Sequence, residues 1–316
     1  MNKKVIVAII SLVVIVLVIC GCVFLYRFST GQILQKNNNT ESQISSEPLF
    51  TLENYPRVDA SLATQPLTNA FIKNFVGNDV DTSKIEYTNT HPGYVKLING
   101  EADLIVVTEP SSEELQLAKD AGVRLEVIPV VKEGFVFYVN AENPVENLTL
   151  EEIQKIYTGE ITNWAQVGGQ DAEIRAFQRP VNSGSQTGLL SLVMKDLPLK
   201  APETKNLIAA MDEIVNLVAD YDNGKNAIGY SYYYYATTMF EDIDSSVSSK
   251  IKFIGVDGVK PTYETIQQDE YKIQTAYYIV INAKEPENSN TRKLVNAMLS
   301  KRGAMVAKEA GYVPNN

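Results

Sequence analysis

From Phe50 onward the chain alternates short β-rich runs with segments whose apolar residues recur at helical spacing. Leu67, Ala70, Phe71 and Phe75 fall on one face of a helix over residues 66–75. The same period predicts helices over 93–99, 113–121, 150–157, 187–194, 205–221 and 291–301. Thr149 and Glu152 stand three apart at the start of the fourth of these seven, the spacing of a capping box. Strands are predicted over 104–107, 124–131, 135–140, 173–177, 227–230, 252–254 and 273–282. Alternating strand and helix implies an α/β fold with mostly parallel pairing, and so many segments divide naturally into two lobes. Two long β-rich runs, 130–140 and 271–282, read as crossovers between the lobes. The first lobe is then discontinuous, residues 49–133 with 255–316, and residues 134–254 form the second. A binding cleft is expected between them.

The N-terminus follows a different pattern. Lys3 and Lys4 precede an apolar run over residues 5–26, broken only by Ser11 and Gly21. At about 1.5 Å per residue the run reaches roughly 33 Å, enough for a hydrocarbon core of about 30 Å. The lysines would stay cytoplasmic. A removable signal peptide has a shorter apolar core and a small-residue cleavage site. Ile19-Cys20-Gly21-Cys22 resembles a bacterial lipobox, which would place a lipid on Cys22, although Val23-Phe24-Leu25-Tyr26 prolongs the apolar run. An uncleaved anchor over 1–27, a lipoprotein and a cleaved signal all stay open, and all put the body outside the cytoplasm. Residues 28–48 are polar, centred on Asn37-Asn38-Asn39, and read as a flexible linker.

Composition then removes function classes. The 316 residues are 45% hydrophobic and 21% charged, ample for sizeable cores. The net charge of −10 argues against a nucleic-acid partner. It also means that an anion site must work through short-range, directed donors, since the overall field repels anions. Both cysteines, Cys20 and Cys22, lie in the apolar run, and His91 is the single histidine. A disulfide framework, a thiolate metal site and a multi-histidine site are thereby excluded from the body, and no cofactor is expected.

The most informative stretch is Arg179-Pro-Val-Asn-Ser183-Gly184-Ser185-Gln186-Thr187, which carries an arginine from a strand end into a helix start. A helix N-terminus offers free N–H groups, Gly184 permits close approach, the hydroxyls add donors and Arg179 adds a fork of them. An ordinary helix cap with a surface arginine fits the same residues. Two further hydroxyl-rich loops, from Asp59 through Ser61 and Thr64 to Pro66 and from Thr88 through Thr90 and His91 to Gly93, also precede helices.

Together with Tyr55-Pro-Arg-Val-Asp-Ala-Ser61, Leu97-Ile-Asn-Gly-Glu-Ala-Asp103-Leu-Ile, Ile156-Tyr-Thr-Gly-Glu-Ile-Thr-Asn-Trp164 and Gly311-Tyr-Val-Pro314, these loops carry a resemblance over most of residues 55–316. The chain resembles the phosphate-binding proteins of bacterial ABC importers, within the type II periplasmic-binding-protein superfamily. That resemblance implies an extracytoplasmic, non-enzymatic solute-binding protein with a two-lobed α/β fold. It would hold phosphate or a related oxyanion and deliver it to the membrane permease of an ABC importer. Carried over by motif, the ligand-binding residues are Ser61 with Thr64, then Thr90, then Arg179, Ser183, Gly184 and Ser185. It also points to Glu109 as the acid that accepts the proton of bound phosphate, where better-known members have aspartate.

Competing chemistry finds little support. No Gly-x-Ser-x-Gly elbow and no Gly-x-x-x-x-Gly-Lys-Ser/Thr loop occurs. His91, beside Pro92, reads as a helix-start residue rather than a catalyst. Asp103 reads as a strand-start residue and Trp164 as packing, while the run Tyr230-Ser-Tyr-Tyr-Tyr-Tyr235 fits either the cleft rim or the core. A membrane-anchored sensor or adhesion module with the same fold is the alternative, and a phosphoester hydrolase the weakest rival.

Overall fold

The computed structural model describes residues 47–208, 216–218, 224–239 and 249–315. The expected membrane or signal helix, Cys22, nearly all of the linker and most of the helix expected over 205–221 lie outside them. Among the described residues no helix is long and apolar enough to cross a membrane.

Strand β1 (Val58–Ala60) leads through a 3-10 turn at Leu62–Thr64 into α1 (Gln65–Val76). Helix α2 (Thr90–Ile98), β2 (Leu104–Val107) and α3 (Ser112–Asp120) follow, and β3 (Leu125–Asn140) then crosses the molecule. Beyond it come β4 (Asn147–Leu148), α4 (Leu150–Thr158), β5 (Arg175–Ala176), α5 (Gly184–Gly188), β6 (Ala227–Tyr232), β7 (Ile251–Phe253) and β8 (Gly255–Val256). Helix α6 (Tyr263–Gln267) precedes β9 (Gln274–Asn282), and α7 (Asn290–Leu299), α8 (Lys301–Glu309) and β10 (Val313–Pro314) end the chain.

One curled sheet in the order β1-β2-β9-β3-β6-β5 serves both lobes. Residues 125–134 of β3 pair with β9, and residues 135–140 pair with β6 and β7. The expected separate strands over 124–131 and 135–140 are therefore one strand. Its second half, Phe135-Val-Phe-Tyr-Val, is buried throughout because β6 and β7 flank it. The register shifts between Pro129 and Val131, where proline has no N–H to give the ladder.

The expectation of mostly parallel pairing is corrected. Strands β1 and β2, β4 and β8, and β5 and β6 are parallel. The long ladders of β3 with β9, β6 and β7, and of β2 with β9, are antiparallel. Strand–helix alternation reveals element order, but a strand that runs out of one lobe and another that returns must oppose each other. Strand β8 hydrogen-bonds the β4 segment, Gly255 N–H to Glu146 O and Asp257 N–H to Leu148 O, both at 3.0 Å.

The helices start as their sequences dictate. Thr149 Oγ1 accepts from the Glu152 N–H at 3.1 Å, and Glu152 Oε2 accepts from the Thr149 N–H at 2.8 Å, completing the capping box. Trp164 is buried in the second lobe, its indole N–H donating to Asn226 O at 2.9 Å. Asp103 sits at the start of β2 paired with Arg57.

Candidate functional site

Three chain segments of the first lobe and two of the second line a cavity of about 350 Å³. Ser61 follows β1, Thr90 opens α2 and Thr108 follows β2, while Arg179 through Ser185 and the rings of Tyr232 and Tyr235 come from the other side. Of the sequence-derived residues, Ser61, Thr90, Arg179, Ser183, Gly184 and Ser185 are brought together on this wall. Thr64 and Glu109 are not among the lining residues.

Each loop is fixed by its own chemistry. The buried carboxylate of Asp59 accepts from Ala60 N–H at 2.7 Å and Thr88 N–H at 3.0 Å through Oδ1, and from the Thr88 hydroxyl at 2.5 Å through Oδ2. It ties β1 to the loop that ends at Thr90, and Asn89 takes a left-handed φ of 74° before the helix opens. Thr64 Oγ1 donates to Val106 O at 2.6 Å, so its single hydrogen secures the 3-10 turn to β2 behind the cavity. In the second lobe the Arg179 N–H donates to Tyr230 Oη at 2.9 Å and Gln186 Oε1 at 3.0 Å, and Tyr230 itself bonds Gln186. Both side chains are buried, so the loop that carries the guanidinium is clamped from beneath. Ser183 caps α5, its Oγ accepting the Gln186 N–H at 3.3 Å.

Gly184 shows how closely the lobes meet. A Cβ there would stand 2.6 Å from Thr108 Oγ1 and 2.8 Å from Thr90 Oγ1, closer than any side chain tolerates. Two hydroxyls on the wall, Ser185 Oγ and Thr108 Oγ1, are sealed from solvent without a hydrogen bond. The Tyr232 phenol gives its own hydrogen to Gly184 O at 2.8 Å, and its oxygen lies close enough to Thr108 to accept from that hydroxyl when no anion is bound. A buried hydroxyl without a partner costs about 1–3 kcal/mol, a cost that an oxyanion between the lobes would remove. Arg179 lends the cavity positive charge, lowering the pKa of Tyr138 and Tyr230 against the larger upward push of burial.

Glu109 lies outside the wall because its carboxylate accepts from the hydroxyl of Ser191, on the other lobe. Glu113 likewise accepts from Asn182. These two contacts bridge the cleft rim. His91, the second residue of α2 rather than its cap, lines the cavity with Nδ1 3.1 Å from Glu114 Oε1.

Sequence reasoning missed Thr108, Asn89, Asn182 and the positioning group Asp59, Gln186 and Tyr230. Thr108 was within reach, being the first residue past β2 and next to the acid that drew attention. Asn89 stands in a quoted loop, yet nothing in its identity announces a left-handed φ. The tyrosine run divides where β6 ends: Tyr230, in the strand, faces the Arg179 loop, Tyr232 and Tyr235 reach the cavity, and Tyr234, past the strand, stacks on Tyr312 at 3.6 Å.

Comparisons with known proteins bear on the family and the fold. Residues 54–301 match the family model described as a PBP superfamily domain. The phosphate-binding protein PstS of Staphylococcus saprophyticus is 25% identical over 261 residues, covering 81% of this chain and 78% of that protein. PstS of Staphylococcus aureus strain COL is 27% identical over 229 residues, covering 71% of this chain and 67% of its own. A Clostridium perfringens protein solved with bound phosphate superposes with a TM-score of 0.64 at 24% identity, over 83% of this chain and all of that one. An ABC-type phosphate transport receptor from Vibrio cholerae gives 0.60 at 20% identity, over 81% and 98%. The structural likenesses speak to the fold.

Proposed function

Since the chain belongs to the PBP superfamily domain family, we propose that its cleft captures an oxyanion, phosphate, between two lobes for delivery to the permease of an ABC importer. The observation that carries this reading is the pair of sealed, unpartnered hydroxyls, Thr108 from one lobe and Ser185 from the other, beside the Arg179 guanidinium on one cavity wall. Relatives bearing the name phosphate-binding protein support the choice of anion. Ser61 and Thr90 are the first lobe's further ligands, Ser183, Gly184 and Ser185 the second lobe's. Backbone N–H groups at the start of α5 add donors.

The lobes comprise residues 49–133 with the chain's end, and the segment between. We place the end of the second lobe a little beyond residue 254, a choice supported by the bonds from Gly255 and Asp257. The protein works on the extracytoplasmic face of the cell membrane, held by residues 5–26 or by lipid on Cys22. Binding draws both lobes onto one anion, and the closed population rises by the ligand's preference for that state.

Calorimetric titration of the full chain in detergent solution with phosphate, sulfate, molybdate and small sugars tests the reading. Heat of 1:1 binding with phosphate is the expected result. No heat with any oxyanion, or saturable heat with a sugar alone, would refute it.

A further inference from the structure

A phosphate site that rejects sulfate needs a group that accepts the phosphate's remaining hydrogen, because sulfate near neutral pH has none to give. Glu109 is committed to Ser191 and does not line the cavity. His91 does line it, with its Nδ1 edge turned 3.1 Å from Glu114 Oε1. The Glu114 side chain is only 1% exposed, and its other oxygen accepts the Ser111 N–H at 2.7 Å, while its own N–H donates to Ser111 Oγ. Burial raises the pKa of this carboxyl, against the Ser111 N–H, the His91 ring and the Ser111 hydroxyl, which hold it down; as the carboxylate of the capping box it only accepts. Opposite it, Nδ1 must carry the hydrogen, and in the neutral ring this leaves Nε2, on the edge away from Glu114, with a free lone pair.

We propose that His91, held in this tautomer by Glu114, is the specificity-determining residue of the site, its Nε2 accepting the P–OH hydrogen of monohydrogen phosphate. The inference rests on the reading of the cleft as a phosphate site. The surrounding charges are consistent with it. Arg179 faces the cavity from the other lobe, and Glu113 is committed to Asn182 as Glu109 is to Ser191. One turn along α2, the Tyr94 hydroxyl donates to Thr108 O at 2.8 Å, and burial with Glu114 and Glu109 keeps it protonated. Tyr232, also on the wall, stays protonated through burial and donates to Gly184 O.

The test compares phosphate and sulfate dissociation constants for the tag-free full chain, His91→Ala and Glu109→Gln. His91→Ala is expected to narrow the sulfate-to-phosphate ratio about tenfold or more, through weaker phosphate binding, because a lone-pair partner is lost. Glu109→Gln should leave the ratio within about threefold, since it acts on closure and not on the anion. The chain has one histidine, so its imidazole nitrogens are unambiguous in a long-range ¹H–¹⁵N spectrum of the unaltered protein. That spectrum should show the Nδ1–H tautomer, with the Nε2 resonance moving on addition of phosphate and not of sulfate. An Nε2–H tautomer, an unmoved resonance or an unchanged ratio in His91→Ala overturns the proposal, as does a ratio that collapses in Glu109→Gln instead. Wild-type protein that binds phosphate and sulfate alike overturns it while leaving the oxyanion reading intact. Protein that binds neither overturns both.

Discussion

At the scale of single residues, the site is governed by what Arg179 and Gly184 can and cannot be exchanged for. In the proposed reading the guanidinium of Arg179, a residue of the cavity wall, gives the anion a charge that no hydroxyl there replaces. Arg179→Ala should weaken phosphate binding by about 2–5 kcal/mol, roughly thirtyfold to several thousandfold, while the melting temperature stays close to wild type. Gly184→Ala separates closure from stability. Alanine suits a helix start, so folding is unharmed, but its Cβ collides with the Thr108 and Thr90 hydroxyls. The lobes must part, and affinity for every oxyanion should fall by about 1–3 kcal/mol, measured by calorimetry beside an unchanged melt. The residue identities of this wall were largely legible in the chain, because hydroxyls, a glycine and an arginine before a helix carry their chemistry in their composition. Their directions were not. Thr64 has the right hydroxyl in the right loop and turns it onto Val106 O, and Glu109 has the right charge and turns it onto Ser191. Which partner such a side chain takes depends on neighbours brought in by the fold, Val106 O for one and Ser191 for the other, and sequence spacing does not announce them.

At the scale of elements, the strand that crosses between the lobes holds an unexpected group. Glu133, at the point where β3 leaves β9 for β6, is buried, and burial pushes its carboxyl up to about 8 although the N–H groups of Gly134 and Tyr234 donate to it at 2.9 and 3.2 Å. In the unfolded chain the same acid ionises near 4.5. Between these values the folded state keeps a proton that the unfolded state has released. Folding stability from this group is therefore intact below the unfolded value and declines as pH rises toward 8, by up to about 1.4 kcal/mol per unit. Glu133→Gln keeps the acceptor oxygen without the ionisation. Its melting temperature should pull ahead of wild type progressively from pH 5 to pH 8, and a constant offset across that range would contradict the assignment. Periodicity found β2, β9 and the helices over 66–75, 93–99, 113–121, 150–157 and 291–301 within a few residues, and the capping box at Thr149 appeared where its spacing put it. Periodicity did not reveal that 124–131 and 135–140 are one strand, because Lys132, Glu133 and Gly134 interrupt the apolar run. Glu133 is buried only because both lobes close around it.

At the scale of the molecule, two lobes also meet through side-chain contacts at the cleft rim, where one of the residues, Asn182, reaches the cavity wall. Glu109 with Ser191 and Glu113 with Asn182 bridge the rim, each exposed and each worth about 0.5–1.5 kcal/mol when closed. Changing Ser191 and Asn182 together to alanine should raise the dissociation constants for phosphate and sulfate by the same factor, about fivefold to a hundredfold. It should also enlarge the radius of gyration of the ligand-free protein in solution scattering. Unequal factors would mean that the rim senses the anion directly. Two-lobed α/β organisation was visible in the order of elements, whereas strand direction was not, since it depends on which lobe each strand is leaving. The most direct test of convergence is anomalous diffraction from crystals soaked with arsenate, a tetrahedral oxyanion with its own scattering signal. One peak is expected within hydrogen-bond distance of the Arg179 guanidinium, Ser185 Oγ and Thr108 Oγ1 together. A peak bound by one lobe alone, or none in the cleft, would contradict the account.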